Sequence, residues 1–309
     1  MKLQPKEIER IRKWIYRNAR PLDLALWKYH IEYRSNDDVE VALAAYQNLD
    51  GGFGHALEAD AWNPASTPIQ TSTAIEKIES IGGLDRNHPM IQEILTYLAS
   101  GKDFQGNRWE NVVKENDGFP HAPWWHSATD AAERREFNPT PILTGFILKY
   151  ADKKSPLYAL GLSLAKELVL LHRSRETMEM HPLLNLVFLY TIVEEIGLDN
   201  EDWFKGAKQK LIQDELNLIQ RDLASWDGYA CLPTTFIQSP RHPLYERLKD
   251  VVEGDLKRKI TGRNADGIWN LTWNWGAYPE AFAISENWWK AEIAIRNLVL
   301  LRAFDFMDE

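Results

Sequence analysis

The chain has 309 residues, 44% of them hydrophobic, and a formal charge of −9 from 36 basic and 45 acidic side chains. That is enough apolar material for a sizeable core. The acidic balance excludes sequence-independent nucleic-acid binding, which depends on Lys and Arg neutralising phosphates.

No stretch approaches the roughly 18 apolar residues of a membrane span, and the first residues lack the apolar run of a signal peptide. Cys231 is the single cysteine, so no internal disulfide forms and a cytoplasmic protein is expected. Nothing within 1–309 reads as a linker, which predicts a single domain. The first helix, over 5–19, lies in a segment holding seven Lys/Arg against two Glu, with Ile8, Ile11, Trp14 and Ile15 on one face. Packing through that face is the expected role. Its alternative is weak contact with an anionic membrane surface.

Further helices are predicted at 22–33, 37–48, 67–81, 89–99, 140–151, 156–173, 182–196, 200–219, 243–253, 255–261 and 286–304, with almost no alternating strand pattern. Six segments open on a residue, Pro and an aliphatic or Met: Thr67-Pro68, His88-Pro89, Thr140-Pro141, Ser155-Pro156, His181-Pro182 and His242-Pro243. Proline suits a first helical position because its missing N–H needs no partner there. His88, His181 and His242 are therefore read as helix-entry residues. Gly82 and Gly197 stand where helix-ending glycines belong.

The long connections, roughly 49–66, 100–139, 220–242 and 262–284, all follow odd-numbered helices. If helices alternate up and down around a ring, those loops share one end. The expected fold is all-α: an α/α toroid of about twelve helices, (α/α)6-like, with its long loops at one end.

Tyr46-Gln47-Asn48-Leu49-Asp50-Gly51-Gly52-Phe53-Gly54 ends one helix, and Asn264-Ala265-Asp266-Gly267-Ile268-Trp269 repeats Asn-x-Asp-Gly-x-aromatic near the end of the chain. Asn116-Asp117-Gly118-Phe119 and Trp226-Asp227-Gly228-Tyr229 are degenerate copies. Asp-Gly supplies a tight turn, with Gly accepting positive φ.

This pattern resembles the Gln/Trp-type repeats of the terpenoid cyclase and protein prenyltransferase toroid superfamily. The resemblance implies that Gln47, Asp50, Gly51, Gly52, Phe53, Asp266 and Gly267 hold the fold. The superfamily's catalytic signatures are not matched. Glu58-Ala59-Asp60-Ala61 and Ser35-Asn36-Asp37-Asp38 are not Asp-x-Asp-Asp, and Asp37-Asp38-Val39-Glu40 reads as a helix start rather than a magnesium motif. Tyr229 stands where a zinc-binding prenyltransferase has Asp, two before Cys231. No metal and no cofactor are expected.

Trp outnumbers Phe and Tyr, at 13 against 11 and 11, and much of it lies in the long loops. Those loops also carry ionisable groups, Asp227 among them. Asp60 and Glu280, with His126 as helper, are predicted as the acid/base set, because they lie 10 and 14 residues beyond matched Asp-Gly turns. His55, Glu58, Trp62, His121, Trp124, Trp125, Trp269, Trp273 and Trp275 are predicted to line the site. The bland reading, Trp covering the loops' own undersides, applies to any one of them.

The partner expected from these features is a small molecule in a central cavity. The resemblance implies an enzyme acting on a terpenoid-like or other largely apolar substrate. The alternatives are a carbohydrate-active hydrolase or lyase using rim carboxylates and Trp stacking, and a protein that binds without catalysis.

Overall fold

The computed structural model describes all residues except 130–135, 223–224, 227–229 and 309. Among the described residues there are eleven α-helices and no sheet, only isolated bridges. The helices are α1 (Pro5–Asn18), α2 (Pro21–His30), α3 (Asp37–Ala44), α4 (Pro68–Ser80), α5 (Pro89–Ala99) and α6 (Thr140–Tyr150). They continue with α7 (Pro156–Ser174), α8 (Met180–Glu195), α9 (Ala207–Leu218), α10 (Tyr245–Thr261) and α11 (Pro279–Ala303). Among the described residues no helix is long and apolar enough to cross a membrane.

The proline starts are local chemistry. Thr67 caps α4 by accepting from Gln70 N at 3.2 Å, and Ser155 caps α7 by accepting from Tyr158 N at 3.1 Å. His88 does the same for α5, its Nδ1 accepting from Met90 N at 3.3 Å. His181 instead lies inside α8, one residue after its start, with Nδ1 3.1 Å from a Glu179 carboxylate oxygen.

The chain forms two compact units, Met1–Leu43 with Leu216–Glu309, and Ala44–Glu215. In the first, α11 packs on α1 and α2 around Ile11, Ile15, Trp27, Leu298 and Leu301, all buried. The apolar face of α1 thus points into that unit. Its charges are paired at the surface, Arg12 with Glu32 at 2.8 Å and Arg263 with Glu7.

Two segments predicted as separate helices, 243–253 and 255–261, are one helix, α10, which runs through Gly254. Its irregular residue is Leu248 (φ −116°, ψ 16°), near the entry. The last helix begins at Pro279, seven residues before the predicted start.

In the second unit α6 is the centre. It is buried on nearly every face and packs against α4, α5, α7 and α8. A helix apolar all round is what such a position requires.

The two Asn-x-Asp-Gly turns share one backbone pattern. Asn48 N donates to Gly52 O at 2.8 Å and Gly51 N to Asn48 O at 2.9 Å. The equivalents, Asn264 N to Ile268 O and Gly267 N to Asn264 O, measure 2.8 and 2.9 Å. Gly51 and Gly267 hold φ of +87° and +85°.

The side chains divide the capping differently. Asp50 Oδ1 accepts from Gly52 N at 3.1 Å in the first turn, whereas Asn264 Oδ1 accepts from Asp266 N and Ile268 N in the second, leaving Asp266 exposed. Gln47 Nε2 reaches Gly51 O at 3.0 Å, closing the first turn from behind.

Burial raises the Asp50 pKa, but Ser66, Lys102 and the Gly52 N–H outweigh it and hold the carboxyl below its ordinary range. Asp50→Ala is expected to cost about 1–2 kcal/mol, since a half-exposed carboxylate loses a turn amide, a hydroxyl and an ion pair. Chemical denaturation measures it, and Asp266→Ala should be near neutral in the same assay.

Candidate functional site

The site is built where two long loops of the second unit meet. Ala61 and His121 form an antiparallel bridge, with Trp62 N donating to Pro120 O at 3.0 Å and Ala122 N to Asp60 O at 2.8 Å. These bonds flank the Ala61–His121 pair, so by the pleat its side chains share one face, and Asp60 and Trp62 share the other.

Amide side chains lock the arrangement. Asn63 Nδ2 donates to Asn116 Oδ1 at 3.1 Å and Asn116 Nδ2 to Trp125 O at 3.2 Å. Gln70, on α4, donates to Asn63 O at 2.8 Å and accepts from Leu57 N at 2.9 Å.

On the Asp60–Trp62 face the Asp60 carboxyl is withdrawn from solvent, and so is that of Glu58 in the turn that leads into it. Asp60 is 2% exposed and Glu58 9%, and Glu58 Oε2 accepts from Asp60 N at 2.9 Å. Trp62 is half-buried and donates Nε1 to Ala59 O at 3.2 Å. His55 is an exposed turn residue at φ +60°, its Nε2 2.9 Å from Asn48 Oδ1.

On the other face His121, His126 and Asp117 converge. His121 Nδ1 lies 2.6 Å from Phe119 O, so that nitrogen carries the proton and donates. His121 Nε2 is 3.2 Å from His126 Nδ1, which is 3.0 Å from Asp117 Oδ1. The two imidazoles are parallel, with centroids 5.3 Å apart. Ser127 clamps Asp117 from behind, its N–H on Oδ1 at 2.9 Å and its Oγ–H on Oδ2 at 2.6 Å, holding the carboxyl below its ordinary range. Trp124 and Trp125 form a half-buried 3-10 turn between the histidines.

No family model, curated protein or solved structure matches the chain.

The remaining predicted residues belong to the first unit. Trp269 is buried, with Nε1 donating to Lys259 O at 2.8 Å. Trp275 is 2% exposed against Phe282, and Trp273 lies edge-on to Trp289. These three cover helices of their own unit. Glu280 is exposed in the first turn of α11, where a carboxylate favours the helix dipole. Asp227, Gly228 and Tyr229 lie outside the described residues. The same unit carries a surface hollow of about 560 Å³ bordered by Arg12, Tyr16, Lys28, Glu32, Arg34 and Asp38, charged for the most part with a single aromatic ring.

Sequence reasoning named His121 and His126 as separate rim groups and treated Asp117 only as part of a turn. The available signal was a spacing, Asp-x3-His-x4-His within ten residues. It also passed over His172, a fully buried residue of α7. His172 Nδ1 lies 2.8 Å from Tyr190 Oη and Nε2 2.9 Å from Asp214 Oδ2, with Lys210 Nζ 2.7 Å from that same oxygen. An imidazole in an apolar helix face was the clue.

Proposed function

We propose that the protein is an enzyme acting on a polar ring-bearing small molecule, a carbohydrate hydrolase or lyase, at the loop cluster of the second unit. One observation carries this reading: Asp60, buried to 2% exposure, stands on the same face of the loop pair as Trp62, beside Glu58. Sugar cleavage needs a carboxyl in a partly dry site and a flat aromatic wall for the ring. Asp60 is the acid/base in this reading and Trp62 is the stacking wall; Trp124 and Trp125 belong to the turn between the histidines and are not needed for it. Glu280 and the tryptophans of the first unit are not needed for it.

The apolar-substrate reading is supported by the Gln47–Gly54 turn, whose bonds fit the fold-holding part of a toroid repeat, and the ring arrangement belongs to that same resemblance. The groups gathered around Asp60 favour a polar ligand over an isoprenoid.

A panel of oligosaccharides, assayed for new reducing ends and for unsaturated products, tests the proposal. Asp60→Asn should lower turnover at least about 100-fold, the scale of a lost general acid or base, with little change in melting temperature. No turnover on any sugar, with saturable binding of an isoprenoid diphosphate, would replace this reading by the terpenoid one. Sugar binding that survives Asp60→Asn, without turnover by either protein, would mean a binding protein.

A further inference from the structure

We propose that Asp117, His121 and His126 bind one divalent transition-metal ion of the zinc type, through Asp117 Oδ1, His121 Nε2 and His126 Nδ1. The inference does not depend on the substrate reading above, since it rests on the opposite face of the loop pair and is tested with the metal alone.

The donor set is the first argument. Two imidazole nitrogens and one carboxylate oxygen suit zinc and its first-row neighbours rather than calcium or magnesium, which prefer all-oxygen sites. A three-residue set also leaves a coordination position open, as reactive zinc sites do.

The second argument is spacing. Ligands about 2.0–2.1 Å from a tetrahedral ion lie about 3.3–3.4 Å from one another. His121 Nε2 and His126 Nδ1 are 3.2 Å apart, His126 Nδ1 and Asp117 Oδ1 are 3.0 Å apart, and all three atoms fall within 4.8 Å of one another. The two His126 separations are within a few tenths of an ångström of the tetrahedral spacing, and side-chain rotation of Asp117 and His121 sets the third.

Proton accounting is the third. His121 Nδ1–H donates to Phe119 O, so His121 Nε2 presents a lone pair. His126 Nδ1 then faces two acceptors, that nitrogen and Asp117 Oδ1, with a single proton to share. An ion in place of the proton satisfies all three atoms together.

The supports are those a metal site needs. A backbone carbonyl fixes the tautomer and orientation of His121, and Ser127 N–H and Oγ–H fix the carboxylate. All four residues, with Phe119, lie within 117–127, so the turn containing Trp124 and Trp125 sets the geometry locally.

The test uses untagged full-length protein, stripped with a chelator and titrated with Zn²⁺ by calorimetry and with Co²⁺ by visible absorption. Expected are one ion per chain and a cobalt spectrum with imidazole ligation in a tetrahedral or five-coordinate site. His126→Ala and Asp117→Asn should each weaken binding by at least about 100-fold, and Ser127→Ala by about 10–100-fold as a support rather than a ligand. His55→Ala should bind as wild type does.

Because His126 is about half exposed, its removal should leave the fold intact, and circular dichroism checks that. Absence of stoichiometric binding by the wild type, or binding of unchanged strength in both His126→Ala and Asp117→Asn, overturns the assignment.

Discussion

Gly51→Val is expected to destabilise the protein by about 3–5 kcal/mol, enough to lower the melting temperature by on the order of 10 °C. Two independent costs add. Gly51 holds φ +87°, and an L-residue in that left-handed region costs about 1–2 kcal/mol, more for a β-branched one. A Cβ there would also stand 2.1 Å from the Glu93 carbonyl oxygen, a backbone atom of α5 that no rotamer change can move aside. Forcing that backbone apart costs about a further 1–3 kcal/mol. Gly51→Ala should fall between wild type and Val. Leu49→Ala, at a fully exposed side chain two residues away, should be close to neutral. A melting temperature for Gly51→Val within about 2 °C of wild type would mean that the turn re-forms without a left-handed residue, contrary to the geometry.

That turn also shows how far the sequence could be read. Within the turn Gln47, Asp50 and Gly51 act on atoms no more than four residues away, and that part of their role follows from the string Gln-Asn-Leu-Asp-Gly-Gly, whereas the bonds of Asp50 to Ser66 and Lys102 and the Glu93 carbonyl beside Gly51 have no local signal. The starts of α4, α5 and α7 were legible for the same reason, a cap and a proline side by side.

Features set by distant residues are not legible in the same way. The segments 243–253 and 255–261 are predicted as separate helices, yet α10 continues through Gly254 between them, because one glycine costs only about 1 kcal/mol in a helix whose apolar side is buried at Val252 and Leu256. The start of α11 was hidden because its apolar residues are spread around the axis and give no periodic signal.

The candidate site divides along the same line. Asp117, His121, His126 and Ser127 fall within eleven residues, and their spacing could have exposed the cluster. The pairing of Ala61 with His121 joins residues 60 positions apart, and neither loop has a period or a motif that names the other. Asp60 and Trp62 were identified by type alone. That they share a face could come only from the register of that pair.

The buried His172 gives the second expected result: stability falls on acidification below the ordinary histidine range, and His172→Gln removes part of that fall. Both ring nitrogens are engaged, and a neutral ring suffices for both bonds, with Nε2–H donating to Asp214 and Nδ1 accepting from Tyr190 Oη. Burial raises the Tyr190 pKa, so the phenol keeps the proton it donates. For His172 burial lowers the pKa, and it outweighs the opposite pull of Asp214, while Lys210 and Arg173 add repulsion against a second positive charge.

Above the unfolded value of 6.5 the ring is neutral in both states, and its contribution to stability is fully present. As pH drops through that value the unfolded chain takes up a proton that the folded chain refuses. Stability is then lost down to the lower folded pKa, with a slope of at most about 1.4 kcal/mol per pH unit for one proton.

Urea denaturation of wild type and His172→Gln from about pH 8 to about pH 5 isolates this group, because the other histidines cancel in the difference. Gln can keep one bond to Asp214 and one to Tyr190, so a modest loss at high pH and a shallower fall at low pH are expected. Parallel curves for the two proteins, or an NMR titration of His172 with its pKa at or above 6.5, would show that the fold does not hold this ring neutral.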